Sequence, residues 1–387
     1  MKVGRNSLFG ALIVTGPFIV LALGIFFFRG RPPKAPEPVA AGALKGANVL
    51  LITIDALRAD HLGAYASNGS LSPAIDRFAK EGLYFERTYS HVPVSEPSHR
   101  TLMMAAYPNR FDATPTLASE LKAAGYRTGA FVASAELSPN AGLAVGFDLY
   151  DDQMPAGSSR NAEQVFAAAF EWLNAAPPTG PWFAWVNISD PNEPYQPPEP
   201  FRSKYSAEGY DGEVAYVDSA FLSFVTGLRR NGVFDNTLVV ITSSFGESLG
   251  EHGEKTHGTL AYDSTLRVPL IMWGRPLIKP GVFLEPMRLV DVAPTIADLV
   301  GVQPLNGIDG RSIRPFLDGT QPFDDRESYF EVNGMKGLVQ GGHKLIMSRT
   351  PEYYNLLADP SEARNLYLPD DPTVRELEAR LARIAQK

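Results

Sequence analysis

Cysteine is absent from all 387 residues. Disulfides, thiolate metal sites and a cysteine nucleophile are therefore excluded, while the redox compartment stays open. Positive charge is also short: 35 Lys and Arg stand against 43 Asp and Glu, giving a net charge of −8 and a pI near 5.4. No basic stripe interrupts that balance, so nucleic acid is not expected as a partner, because phosphate binding needs a basic surface. Nor does the chain repeat itself internally. What it does contain is 44% hydrophobic and 20% charged residues. Such a chain can bury a full core, either as one large α/β domain or as a domain with an appendage.

The one long apolar run lies near the N-terminus. "SLFGALIVTGPFIVLALGIFFF", Ser7 to Phe28, carries no charge and has the roughly 20 residues a helix needs to cross a bilayer. The alternative is a cleaved signal peptide, but the run is long for that and "FFFRGRPPK" is a poor small-residue cleavage site. An uncleaved anchor is expected. Lys2 and Arg5 flank one side and Arg29, Arg31 and Lys34 the other; charge alone favours the reverse topology. The expectation is a cytoplasmic tip and transmembrane anchor over residues 1–31, then a stiff Pro/Ala-rich linker over 32–46. This describes a single-pass membrane protein whose soluble domain is extracytoplasmic, with the membrane as a partner through its N-terminal helix.

From Ala47 onward, buried strands alternate with helical stretches. "NVLLITID" is a continuous apolar run ending in Asp55, as expected of a central parallel strand. "SPAIDRFAKEGLYF" reads as a helix capped by Ser72, and "TPTLASELKAAGY" as another with Thr114 before Pro115. "TGAFVA", "PWFAWVNISD" and "TLVVITSS" are further strands, and "GEVAYVDSAFLSFVTGLRRNG" is a long amphipathic helix. This alternation implies a doubly wound α/β sheet with helices on both faces. Beyond "LVDVAPTIADLVG", the segments "ESYFEV", "MKGLVQGG", "HKLIMSR" and "EYYNLL" read as short antiparallel strands before a charged final helix.

Nine landmarks in one order make the chain resemble the sulfatase branch of the alkaline phosphatase superfamily over residues 47 to 368. They are "NVLLITIDALRADHLGAY", "VSEPSHRTLM", "DPNEPYQPPEPFRSKY", "YDGEVAYVD", "GESLGEHG", "YDSTLRVPLIMWG", "VDVAPTIADLVGV", "GIDGRSIRPFL" and "YYNLLADPSEARNL". The resemblance implies a large mixed sheet sandwiched by helices over 47–318, and a small C-terminal antiparallel sheet plus helix over 319–387. It also implies metal-assisted hydrolysis of sulfate or phosphate esters. In that chemistry a divalent cation neutralises the anionic ester while an activated oxygen attacks.

The residues that would carry the chemistry have changed in part. Asp55, at the tip of the first strand, matches the family's first metal ligand; the position beside it, a second acid in many sulfatases, is Ala56. Ser95 in "SEPSH" matches the nucleophile, acting as an alkoxide or after oxidation to formylglycine, with His99 where the signature has Arg and Arg100 next to it. Where relatives read T-S-D-H-G-E or T-D-N-G, this chain reads Thr242, Ser243, Ser244, Phe245, Gly246, Glu247. Ser244 thus replaces a carboxylate ligand, and Phe245 offers no lone pair to a cation. "NISDPNEPY" resembles H-x-x-D-P-H-x-P-Y with Asn187 and Asn192 at both histidine positions, while Asp190 keeps its acid. Some ten residues of an H-G-V-R-type loop are missing around Asn109 to Ala113. His257 matches the histidine that contacts the ester, with Lys255 beside it; the other histidines read as structural.

The expectation is therefore a membrane-anchored pseudoenzyme with a binding or assembly role, toward a protein or glycan partner, that needs no cofactor. Asp55 and Asp190 would be the remnants of its metal site. The alternative is an active hydrolase using Ser95 and His257, with Arg100, Lys255 and Asn192 on the substrate and calcium, magnesium, manganese or zinc as the cation. A third reading is a carbohydrate-binding cleft lined by Asn187, Asn192, Ser244, Tyr195 and Phe245.

Overall fold

The computed structural model describes residues 39–66, 71–111, 115–155, 159–175, 180–274, 278–303, 305–318 and 321–385. The expected span over residues 7–28 lies outside them. Among the described residues, no helix is long and apolar enough to cross a membrane.

Eight strands form the main sheet: β1 (Asn48–Ile54), β2 (Leu83–Phe85), β3 (Arg127–Phe131), β4 (Leu149–Asp151), β5 (Trp182–Ile188), β6 (Thr237–Thr242), β7 (Leu270–Trp273) and β8 (Gly281–Phe283). Their order across the sheet is β8-β2-β7-β6-β1-β5-β3-β4. The run from β6 to β4 is parallel, whereas β7 lies antiparallel to both β6 and β2. The sheet is thus mixed rather than purely doubly wound. β1 and β6 are almost wholly buried, which is why both read as unbroken apolar runs instead of alternating ones.

Successive side chains along each strand point to opposite faces, and two cores follow. Val49, Leu51, Val240 and Trp185 pack against α2 (Ser95–Met104), α3 (Leu117–Ala123) and α6 (Val292–Leu299). Leu50, Ile52, Ile241 and Val186 pack against α1 (Pro73–Glu81), α4 (Ala162–Asn174) and α5 (Gly209–Arg230). A second sheet of β9 (Ser328–Val332), β10 (Met335–Gln340), β11 (His343–Met347) and β12 (Glu352–Asn355) is antiparallel and covers α7 (Pro372–Ala385) with Tyr329, Leu338 and Leu345. Its other face, through Phe330 and Ile346, meets Tyr89 and Leu266. Residues Pro36–Lys387 form one compact unit.

Two helix starts differ from the sequence expectation. Ser72 does precede α1, but its Oγ donates to Asp76 Oδ1 (3.0 Å), and the amides of Ala74 and Ile75 go to the Asp218 carboxylate at 3.0 and 2.8 Å. A buried carboxylate from α5 satisfies the exposed amides better than a short local hydroxyl does. The cap of α3 is Thr116, whose Oγ1 accepts from Ser119 N at 3.1 Å; Thr114 lies outside the described residues.

Candidate functional site

The two central strands and their neighbour bring the sequence candidates to one edge of the sheet. Thr53 of β1 is level with Asn187 of β5 on one side and Thr242 of β6 on the other. Asp55 follows β1, with its amide bound to Ile188 O at 2.8 Å, and Ser244 follows β6. The turn after Asp55 puts Ala56 at φ 57°, a left-handed conformation that needs outside support. Tyr210 of α5 supplies it: its hydroxyl donates to Ala56 O (2.7 Å) and accepts from Arg58 N (2.9 Å). Past β6, Gly246 donates to Thr265 O at 2.7 Å, and a Cβ there would meet Ser264 O at 2.2 Å. Only glycine allows that approach.

Asp55 is fully buried, and protein donors hold both of its carboxylate oxygens. Ser244 Oγ donates to Oδ1 at 2.6 Å, Asn187 Nδ2 to the same oxygen at 3.1 Å, and Ser95 Oγ to Oδ2 at 2.7 Å. Ser95 opens α2, and the helix start is tied to the β6 tip by Ser98 Oγ, which donates to Ser244 O at 2.5 Å. Hydrogen bonds to a charged group are worth about 1.5–3 kcal/mol each. Three such bonds offset part of the cost of burying this side chain.

His99, one turn into α2, closes the cluster. Its Nδ1 lies 2.8 Å from Ser95 O, which can only accept, so the network assigns the hydrogen to Nδ1. Thr53 Oγ1 accepts from Trp185 Nε1 (3.0 Å) and turns its own hydrogen to His99 Nε2 (3.0 Å). In this arrangement the ring hydrogens point away from Asp55 Oδ1, 3.4 Å from Nε2.

Phe245 is fully buried, with its ring centroid 4.4 Å from that of His257. His257 Nδ1 in turn lies 3.0 Å from Glu247 Oε2. Burial opposes protonation of His257, but the Glu247 hydrogen bond and charge outweigh it and raise its proton affinity. Burial likewise pushes the Glu247 carboxyl above its ordinary range.

Asp55, Ser95, Phe245 and His257 line a cleft of about 650 Å³ that also holds Asp190, Asn192 and Glu213. Asp190 makes no contact with Asp55 among the described hydrogen bonds; its carboxyl accepts from the Ala162 amide at the start of α4, and burial raises it to about 7. Burial, then the charge of Asp190, raises Glu213 to about 8.

Two expected substrate contacts sit elsewhere. One residue along a helix turns the side chain by about 100°, so Arg100 leaves the face on which His99 meets Asp55, and it does not line the cleft. It binds Glu96 Oε1 (3.1 Å) and Phe111 O (3.3 Å) and stacks on the Phe111 ring at 4.2 Å. Lys255 is exposed on the outer loop and does not line the cleft. Conversely, Glu213 and Glu247 escaped the sequence reading. The signal for Glu213 was an acid on the buried stripe of α5, between Tyr210 and Val217.

As a seat for a divalent cation this donor set is poor. Hard cations take several anionic or carbonyl oxygens, whereas Ser95, Ser244 and Asn187 turn hydrogens toward the single carboxylate of Asp55. No group of three or more His, Asp or Glu among the described residues is placed to hold a metal.

Comparison with known proteins gives consistent matches. Residues 47–302 match the family model described as Sulfatase, and residues 250–387 the model described as N-sulphoglucosamine sulphohydrolase, C-terminal. A choline-sulfatase of Rhizobium meliloti is 32% identical over 174 residues, 42% of this chain and 33% of that protein. An inner membrane protein of Salmonella typhi, YejM, is 28% identical over 234 residues, 59% of this chain and 37% of that protein. The matches thus span about a third of the length of these curated relatives. A solved structure of a protein in complex with its substrate D-glucosamine-2-N,6-O-disulfate shares the fold at a TM-score of 0.76 and 18% identity, over 88% of this chain and 98% of that one.

Proposed function

The chain belongs to the sulfatase family of the alkaline-phosphatase-like superfamily, and from that premise we propose that it has exchanged metal-dependent ester hydrolysis for ligand binding. The observation that carries this is the environment of Asp55. Its two oxygens are taken by Ser244, Asn187 and Ser95, so hydrogen-bond donors now do what a cation does for such a carboxylate. Without a cation the site lacks the group that neutralises a sulfate or phosphate ester in metal-assisted hydrolysis. The N-terminal apolar run supports an anchor that holds the domain outside the cytoplasm, and the likeness to an inner membrane protein agrees with that reading. The cleft then serves recognition or assembly at a membrane surface.

The test is turnover of aryl sulfate and aryl phosphate esters by the full-length chain with calcium, magnesium, manganese or zinc. The proposal expects no metal-stimulated rate. A rate that Ser95→Ala abolishes would overturn it.

One observation favours a second reading. Ser95 Oγ lies 2.7 Å from Asp55 Oδ2, within reach of a general base, and His257 lines the same cleft. A Ser95-dependent hydrolase working without a cation would show turnover indifferent to chelators.

A further inference from the structure

The turn after β5 carries two oxygens that the fold leaves without a donor. Asp190 Oδ2 and Asn192 Oδ1 are shielded from water, and neither has a hydrogen-bond partner among the described residues. A buried polar atom left unsatisfied costs about 1–3 kcal/mol, and a fold that tolerates two on one turn leaves something for a ligand to complete. Both residues line the cleft beyond Asp55, and Glu213 reaches the same space from α5.

Acids outnumber bases in the cleft. Asp55, Glu136, Asp190, Glu193 and Glu213 line it, against Arg160 and His257. Those two bases are already engaged, Arg160 with Asp151 at 2.9 Å and His257 with Glu247 at 3.0 Å. An anion is therefore repelled where the sulfatase fold elsewhere admits one. A metal ion suits the site no better, since no cluster of three ligating side chains surrounds it among the described residues. A primary ammonium group has three N–H donors and no acceptor. It complements the two oxygens that lack donors and the Glu213 carboxyl that lines the same cleft. Around them Ser134, Ser159, Asn161, Ser189, Gln196 and Thr256 offer hydroxyl and amide groups, the partners that alcohol groups need.

We propose that Asp190, Asn192 and Glu213 form a subsite for the primary ammonium group of a polyhydroxylated amine, whose hydroxyls lie along the neutral polar wall of the cleft. The proposal rests on the cleft being a ligand-binding site that works without a metal. Burial raises the proton affinity of both carboxyls, and a bound ammonium relieves that burden by supplying the missing opposite charge.

Glucamine and sorbitol test it, because they share a polyol chain and differ in one amino group. Ligand-observed NMR or calorimetry on the full-length chain at pH 8 should show glucamine binding about tenfold tighter than sorbitol, the worth of one charge-assisted contact. Asp190→Asn and Glu213→Gln should each shrink that margin to about twofold. Circular dichroism checks that each variant folds, and either one suffices if the other does not. Equal binding of the two polyols, or a margin that survives both substitutions, overturns the proposal. Metal-dependent ester turnover lost on Ser95→Ala would instead sink the metal-free reading and leave the glucamine comparison standing.

Discussion

Ser244 Oγ donates to Asp55 Oδ1 at 2.6 Å across the tips of two adjacent parallel strands, joining residues 189 positions apart. A serine therefore stands where the family resemblance puts a second carboxylate. Replacing it should recreate the old conflict. Ser244→Asp places two carboxylates in hydrogen-bonding contact, and without a cation it should lower stability by about 2–4 kcal/mol. Millimolar manganese or calcium should recover part of that loss, read as a rise in Tm absent from the parent chain. An unchanged Tm in both conditions would show that Asp55 does not feel position 244.

Glu213 and Asp190 make stability depend on pH in the direction opposite to an ordinary carboxylate. Burial raises them to about 8 and about 7, so the folded chain holds protons that the unfolded chain has released by about pH 5. Their contribution is fully present below about pH 4 and declines as pH rises to 8. Glu213→Gln should therefore raise Tm at pH 8 more than at pH 5. An equal change at both values contradicts the assignment.

His91 acts at the acid end. It is fully buried, with Nδ1 donating to Tyr329 O at 2.5 Å and Nε2 accepting from Val290 N at 3.3 Å, and burial lowers it to about 4. The unfolded chain binds a proton there at about pH 6.5 and the folded chain does not. Stability should fall as pH drops from 6.5 to 4, and His91→Gln should flatten that slope in thermal melts. A slope that persists unchanged would place the acid sensitivity elsewhere.

Lys344 pins the second sheet to the helical turn Asp263–Leu266 that precedes β7. Its ammonium is fully buried, 2.7 Å from Glu362 and 3.0 Å from Asp263. Lys344→Met leaves those two acids without their shared counterion, and a loss of about 3–5 kcal/mol is expected from chemical denaturation. A loss below about 1 kcal/mol, the range of an exposed pair, would show the triad to be hydrated.

Much of this was legible in the chain itself. Asp55 and Ser244 end apolar runs whose length and composition mark central strands, and Asn187 sits level with Thr53 because parallel neighbours align. Ser95 was marked by Pro97 two residues on. What could not be read were contacts that only the fold creates. The cap on α1 comes from Asp218, 144 residues from Ala74, and no local pattern announces it. Glu213 looks like one more acid on a helix until the chain after β5 brings Asp190 and Gln196 to it. Arg100 and Lys255 were drawn toward the site by their charge and their proximity in sequence, and helix geometry and loop exposure carried them elsewhere.

On the proposed reading, protein donors have taken over the role of a cation at Asp55. Isothermal titration of the chelator-treated full-length chain with calcium, magnesium, manganese and zinc addresses it most directly. No saturable binding that Asp55→Asn removes is the predicted result. Stoichiometric binding of any of the four, abolished by Asp55→Asn, would contradict it.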